Sequence, residues 1–136
     1  MSRSLTERAL PWLLLLYCAA SLLHFVHNAE YITDYPNLPN WLSRSRVYVA
    51  WLAIFAIGVV GYALCRRGQR LIGLIILAVY AGFGFDGLLH YTLAPFAAHT
   101  FAMNLTIWFE VVAATLLFVT VITLAIDRAW RHVAQA

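Results

Sequence analysis

Four long apolar runs, separated by short polar segments, dominate the chain. They cover about residues 10–31, 46–65, 71–93 and 100–126. Each run reaches or exceeds the ~20 residues that an α-helix needs to cross a hydrocarbon core about 30 Å thick. The pattern predicts an all-α integral membrane protein, in which residues 1–136 form one domain, a four-transmembrane-helix bundle.

The segments between the runs contain residues that end helices. Residues 32–45 contain two prolines and Trp41, which is typical of an ordered loop lying along the membrane interface. Pro95 ends the third run and separates it from the fourth. We therefore expect two loops, 32–45 and 94–99, at the same end of the bundle.

Composition supports insertion into a bilayer. Of the 136 residues, 63% are hydrophobic and 11% are charged, which is too apolar for a small soluble domain. The net charge of +3 comes with arginines and no lysine, and no soluble basic face is available to bind nucleic acid. The lipid bilayer is the expected partner, and nucleic acid is not.

The arginines predict the orientation. If both termini are cytoplasmic, that side holds seven arginines and the other side holds two, Arg44 and Arg46. Positively charged residues favour the cytoplasmic side. We expect a multi-pass membrane protein. In a bacterium it would lie in the inner membrane, with both loops facing the periplasm. The cytoplasmic arginines are Arg3, Arg8, Arg66, Arg67, Arg70, Arg128 and Arg131.

Ionisable side chains gather in the half of the bundle next to these loops. A charged group inside a membrane costs a few kcal/mol or more, so such groups indicate a functional site. Four histidines and four acids lie in this half or in its loop, and only His132 belongs to the C-terminal tail. These eight residues are His24, His27, Glu30, Asp34, Asp86, His90, His99 and Glu110.

Their spacing predicts shared helix faces. In a continuous α-helix Asp86 and His90 are one turn apart, on one face. On the first helix, His24, His27, Asn28 and Tyr31 follow the helical period and form a polar stripe. We expect Glu110 at the floor of an outward-facing cavity. Asn28, Glu30, Tyr31 and Asn104 are the expected supporting residues.

Histidines and carboxylates on neighbouring helices are how helical bundles build metal sites. The sequence therefore predicts a divalent transition metal, Zn, Cu or Fe, bound by His24, His27, Asp86 and His90, with His99 as an optional further ligand. It leaves open whether these residues form one centre, or whether His24 and His27 form a site separate from Asp86 and His90. The site would serve metal handling or metal-dependent chemistry on an amphiphilic substrate. Asp86 and Glu110 would then move protons as catalytic groups.

Two other functions fit the same residues. A b-type haem protein for electron transfer would use His24 or His27 and His90 as axial ligands. A metal-free site would relay protons in a small transporter, or bind or isomerise a lipophilic ligand. The pattern does not separate an enzyme from a non-enzyme. It is also compatible with a single chain, a homo-oligomer or a larger membrane complex.

Overall fold

The computed structural model describes residues 5–133, with side chains over residues 5–131. The prediction about His132 and the count of Arg3 as cytoplasmic therefore fall outside the described side chains. Five α-helices and two 3₁₀ segments make up the fold. They are α1 (Leu5–Glu30), α2 (Arg44–Arg66), α3 (Arg70–Gly82), a 3₁₀ segment (Phe83–Leu89), α4 (His90–Leu93), a second 3₁₀ segment (Phe96–Ala98) and α5 (Phe101–Val133).

Four helical stretches within the described residues are long and apolar enough to cross a membrane. The third of them, Arg70–Leu93, combines α3, the first 3₁₀ segment and α4. Many large apolar side chains point outward, which suits contact with lipid rather than water. The all-helical fold with four helical stretches long and apolar enough to span a membrane is confirmed over the described residues, and the orientation of the termini stays a prediction.

Neighbours in sequence are neighbours in space. The main contacts join α1 to α2 and α5, and join α3 to the same two helices. Helices α1 and α3 therefore lie on one diagonal of the bundle, and α2 and α5 lie on the other. Short connections between antiparallel helices produce this arrangement. It brings loop 31–43 and segment 94–100 to one end of the bundle, here called the loop end.

Two helices extend further than the apolar runs. Helix α1 begins at Leu5 rather than near residue 10, so Pro11 lies in its second turn. Helix α5 continues to Val133 instead of ending near residue 126. Asp127 and Arg128 are exposed in this extension. The α-helix therefore continues beyond the last apolar residues of the run, into a part where its side chains are charged.

The third span is not a continuous α-helix. Residues Phe83–Leu89 form a 3₁₀ helix, which has three residues per turn. Gly84, Gly87 and His90 follow that period and are all buried. Asp86 is half-buried. Because a 3₁₀ helix turns by about 120° per residue, the four residues from Asp86 to His90 leave the two side chains about a third of a turn apart around the helix axis. The expected α-helical face shared by Asp86 and His90 is therefore not formed.

Gly84 explains where the 3₁₀ segment packs. A Cβ atom at Gly84 would lie 2.4 Å from the Cβ of Ala114 and 2.7 Å from the ring of Tyr17. Glycine is needed there because the backbone packs directly against α5 and α1. The close contact holds the following residues, including Asp86 and Gly87, at a fixed depth in the bundle.

The core changes character along the bundle axis. In the half away from the loop end it is apolar, and it is built around Tyr17, Leu74, Leu77, Leu117 and Val121. Towards the loop end, polar side chains take over the interior. The buried ones there are Ser21, His24, Asn28, His90, His99, Asn104, Thr106 and Glu110.

Candidate functional site

Three buried side chains from three elements meet at the centre of the polar half. His24 comes from α1, His90 from α4 and Glu110 from α5. The rings of His24 and His90 meet edge-on, with centroids 5.5 Å apart. His24 Nε2 lies 3.9 Å from Glu110 Oε2, and Glu110 has no exposed surface. The structure thus places an imidazole beside a carboxyl group that water does not reach.

The 3₁₀ segment forms one wall of this centre. A Cβ atom on Gly87 would lie 3.8 Å from both Glu110 Oε2 and His24 Cε1. It would also touch a methyl group of Ile107 at 3.4 Å. The backbone at Gly87 is therefore in van der Waals reach of the His24–Glu110 pair, and its missing side chain leaves space next to the two polar groups.

His90 is held by α1 and by loop 31–43. Its Nε2 atom is 3.1 Å from Asn28 Nδ2, so the amide donates to the imidazole nitrogen. The ring of Tyr35 lies against the ring of His90, with centroids 4.9 Å apart. Tyr35 is 4% exposed, and it packs between His90 and the loop-end surface. Together these contacts fix His90 with Nε2 as an acceptor.

His27 marks the outer edge of the cluster. Its Nδ1 atom is 2.9 Å from the hydroxyl of Tyr35, and its ring is 4.8 Å from that of Tyr31. Burial raises the pKa of the Tyr35 hydroxyl to about 12, so the hydroxyl keeps its proton at neutral pH and can donate it to His27. Tyr31 is 52% exposed and lies outside the interior, so the predicted polar stripe divides between core and surface.

His99 comes from the segment after Pro95. Its Nδ1 atom is 3.1 Å from the carbonyl oxygen of Pro95, an arrangement in which Nδ1–H donates. Its ring centroid is 6.1 Å from that of His90. Asn104 donates to the carbonyl oxygens of Phe96 and His99 at 3.3 Å, and so fixes this segment. Asn104 therefore supports the position of His99.

Asp86 lines a cavity that His24 and His90 also line. This cavity, of about 300 Å³, lies between α1, the start of α2 and residues 86–93, and we call it the polar cavity. Four polar side chains line it, His24, Asn28, Asp86 and His90. Gly87 contributes backbone to the wall, and the remaining lining residues are apolar or aromatic. They are Phe25, Leu38, Trp41, Leu42, Val47, Ala50, Leu89 and Leu93.

Several polar atoms around this cavity have no hydrogen-bond partner among the described residues. They include His24 Nδ1, Asn28 Oδ1 and Asp86 Oδ1 on its lining. Outside the cavity lining, both carboxyl oxygens of Glu110 and the Nε2 atom of His99 also have no hydrogen-bond partner among the described residues. Buried polar atoms in proteins are nearly always paired, so this concentration indicates a site that a ligand or water completes.

Glu30 does not reach the cluster. Its carboxylate is 2.6 Å from Arg44 Nη2, and it accepts a hydrogen bond from the Tyr48 hydroxyl at the same distance. These contacts join the end of α1 to the start of α2. The supporting role expected for Glu30 is therefore structural, at the rim of the bundle.

The metal donors are not gathered in one place. Over residues 5–131, no group of three His, Cys, Asp or Glu side chains is positioned to hold a metal ion. The rings of His24, His90 and His99 form a row, and His27 bonds to Tyr35. Asp86 lines the polar cavity together with His24 and His90. The metal-ligand set of His24, His27, Asp86, His90 and His99 therefore stays a prediction.

Tyr35, Trp41 and Gly87 are site residues that sequence reasoning missed. Tyr35 and Trp41 belong to a loop, where no periodic pattern tells which side chains turn inward. Gly87 carried a signal, since Gly84 and Gly87 precede His90 at intervals of three. That spacing is the period of a 3₁₀ helix.

Comparisons with known protein families, curated proteins and solved structures give no match. The chemistry of the site alone therefore supports the functional argument.

Proposed function

We propose that the protein binds a small amphiphilic molecule whose head group donates hydrogen bonds, with a primary amine as the best-fitting class. The polar cavity is the observation that carries this proposal. It combines an apolar wall with a polar end of His24, Asn28, Asp86 and His90. Ligand sites are typically apolar clefts of about 300–1,000 Å³ with a few placed polar groups.

The missing partners indicate what the head group brings. The unpaired atoms on the lining are a carboxyl oxygen and an amide oxygen, which accept hydrogen bonds, and His24 Nδ1, which accepts in the tautomer that carries its proton on Nε2. An ammonium group supplies several donors and a positive charge that pairs with the carboxylate form of Asp86. A sulfate or phosphate head group would bring only further acceptors, so the site disfavours it.

His24 gives the bound molecule a route for protons. It lines the cavity and also lies 3.9 Å from Glu110, which does not line the cavity. Imidazole can take a proton at one nitrogen and release one at the other. Proton exchange between a bound amine and Glu110 through His24 fits an isomerase as well as a proton-coupled carrier.

Binding can be followed through Trp41, which lines the cavity and is 65% exposed. With the protein in lipid nanodiscs, we expect dodecylamine brominated near its head group to quench Trp41, and subtracting the Trp41→Phe signal isolates that residue. Unlabelled dodecylamine and dodecanol should compete for the site. Dodecyl sulfate should not, and equal competition by the sulfate would contradict the proposal.

Asp86→Asn is the decisive variant. Hydrogen bonds to charged groups are worth about 1.5–3 kcal/mol, so we expect amine affinity to fall about tenfold or more. The matched control is Asp34→Asn, an exposed carboxylate of loop 31–43 that does not line the cavity. Its affinity should stay within about twofold, since exposed charges contribute little.

A transition-metal site is a second candidate, supported by His99. Because Nδ1–H of His99 donates to a carbonyl oxygen, its Nε2 atom carries no proton and has an unpaired lone pair, the usual arrangement of a metal-bound histidine. Rotation of His24 and His90 towards it would complete a three-histidine set. Zinc loading followed by elemental analysis tests this: His99→Ala should lose the metal, and undiminished zinc in that variant would exclude His99 as a ligand.

A further inference from the structure

A second cavity lies along the same pair of helices, away from the loop end. It is a groove of about 280 Å³ with an almost wholly apolar lining, and we call it the apolar groove. Its walls come from α1, α2 and Tyr80 of α3. The lining residues are Pro11, Leu14, Leu15, Cys18, Phe55, Gly58, Val59, Tyr62 and Tyr80.

The polar cavity and the apolar groove share one helix–helix seam. On α1 the groove is lined by Leu14 and Cys18 and the polar cavity by Phe25 and Asn28, which follow the spacing of one helix face. Helices α1 and α2 also pack less extensively than the other neighbouring helix pairs of the bundle. The seam between α1 and α2 is therefore the place where the hydrocarbon chain of a ligand can enter with the least loss of helix packing.

The distance between the two cavities matches one lipid chain. From Leu15 in the groove to Phe25 in the polar cavity is ten residues, or about 15 Å along α1. That is half of a hydrocarbon core about 30 Å thick, the depth occupied by the acyl chains of one leaflet. A long unbranched or isoprenoid chain covers this distance from a head group held at Asp86.

We infer that the ligand is a long-chain amphiphile, with its head group in the polar cavity and the end of its tail in the apolar groove. Between the two, half-buried Ile54 packs against both apolar clusters of the core. The tail passes along the lipid-facing side of Ile54 and enters the groove. This inference rests on the proposed function, and it adds the length and position of the ligand.

Photolabelling in nanodiscs tests it. The probes are two octadecylamines, one with a diazirine beside the amine and the other with a diazirine at the end of the chain. We expect the first to label residues around the polar cavity. The second should label α1 near residues 11–18 and α2 near residues 55–62. Peptide mapping by mass spectrometry locates the adducts.

A matched pair of valines provides the control. Val59 lines the groove and is 50% exposed, whereas Val60, 51% exposed, does not line it. We expect Val59→Phe to reduce labelling by the tail-end probe about fivefold, and Val60→Phe to leave it unchanged. Labelling near the head group should stay the same in both variants.

The outcomes separate the two claims. If the tail-end probe labels all lipid-facing helices evenly while the head-end probe labels the polar cavity, the inference fails and the proposed function stands. If labelling by the head-end probe is the same in Asp86→Asn as in the wild type, the proposed function itself fails.

Discussion

Replacing Glu110 with methionine should stabilise the protein. Glu110 is fully buried, and neither of its carboxyl oxygens makes a well-formed hydrogen bond to a described residue; its polar neighbours are the Ser21 hydroxyl and His24 Nε2, the latter 3.9 Å away. Burying a polar group without a partner costs about 1–3 kcal/mol in proteins. Methionine has a similar shape and no strong polar atom, so Glu110→Met should raise the free energy of unfolding by about that amount.

Unfolding in mixed detergent micelles, followed by circular dichroism, measures this change. Glu110→Gln should have little effect, because it keeps two buried polar atoms. Glu30→Met is a second control, since Glu30 is partly exposed and its pair with Arg44 is of the kind worth 0–1 kcal/mol. A destabilisation of Glu110→Met by more than about 1 kcal/mol would refute the reasoning, because it would mean that the carboxyl group has a stabilising partner in the folded protein.

The expected stabilisation also bears on function. A buried residue that lowers stability is typical of sites where activity and stability conflict. Glu110→Met should therefore be more stable and yet lose proton exchange with a bound amine. If the variant gained stability and kept full proton exchange, Glu110 would have no part in the proposed function.

Three further predictions concern the elements that position the site. Gly84→Ala should cost about 1–3 kcal/mol of stability, because the new methyl group would lie 2.4 Å from Ala114, whereas Gly82→Ala, with nothing within 4 Å, should be neutral or stabilising. Asn37 has φ 58° and donates to a backbone carbonyl at the end of α4, so Asn37→Ala should destabilise more than Asn37→Gly by about 1 kcal/mol in the same unfolding assay. The pKa of Tyr35 is raised from 10.0 to about 12 mainly by burial, so the folded state holds this proton longer and stability should fall between pH 10 and 12. In Tyr35→Phe that part of the fall should be absent, and an identical pH profile would contradict the burial of Tyr35.

The sequence was enough to predict the four spans because membrane thickness sets a minimum apolar length. That ionisable residues of three helices lie at comparable depths, with His24 and Asp86 above Glu110, could also be inferred, since each helix rises by a constant distance per residue. The lateral arrangement was less accessible. It depends on which helices are neighbours and on how each is rotated.

The third span shows where periodic reasoning fails. A regular α-helix would place Asp86 and His90 on one face, but the glycines at 84 and 87 favour a tighter helix packed against α5. The period of three then buries His90 in line with the glycines, and Asp86 turns to the polar cavity. Loop 31–43 was inaccessible for another reason: Tyr35 and Trp41 turn towards the site through tertiary contacts alone.

Native mass spectrometry of the protein released from its own membrane in mild detergent tests the central claim most directly. We expect one organic amphiphile with a hydrogen-bond-donating head group per chain in the wild type and in Asp34→Asn, and loss of that adduct in Asp86→Asn. An adduct that Asp86→Asn retains equally would contradict binding at the polar cavity. A stoichiometric metal ion with no organic adduct would contradict the account in favour of the histidine metal site.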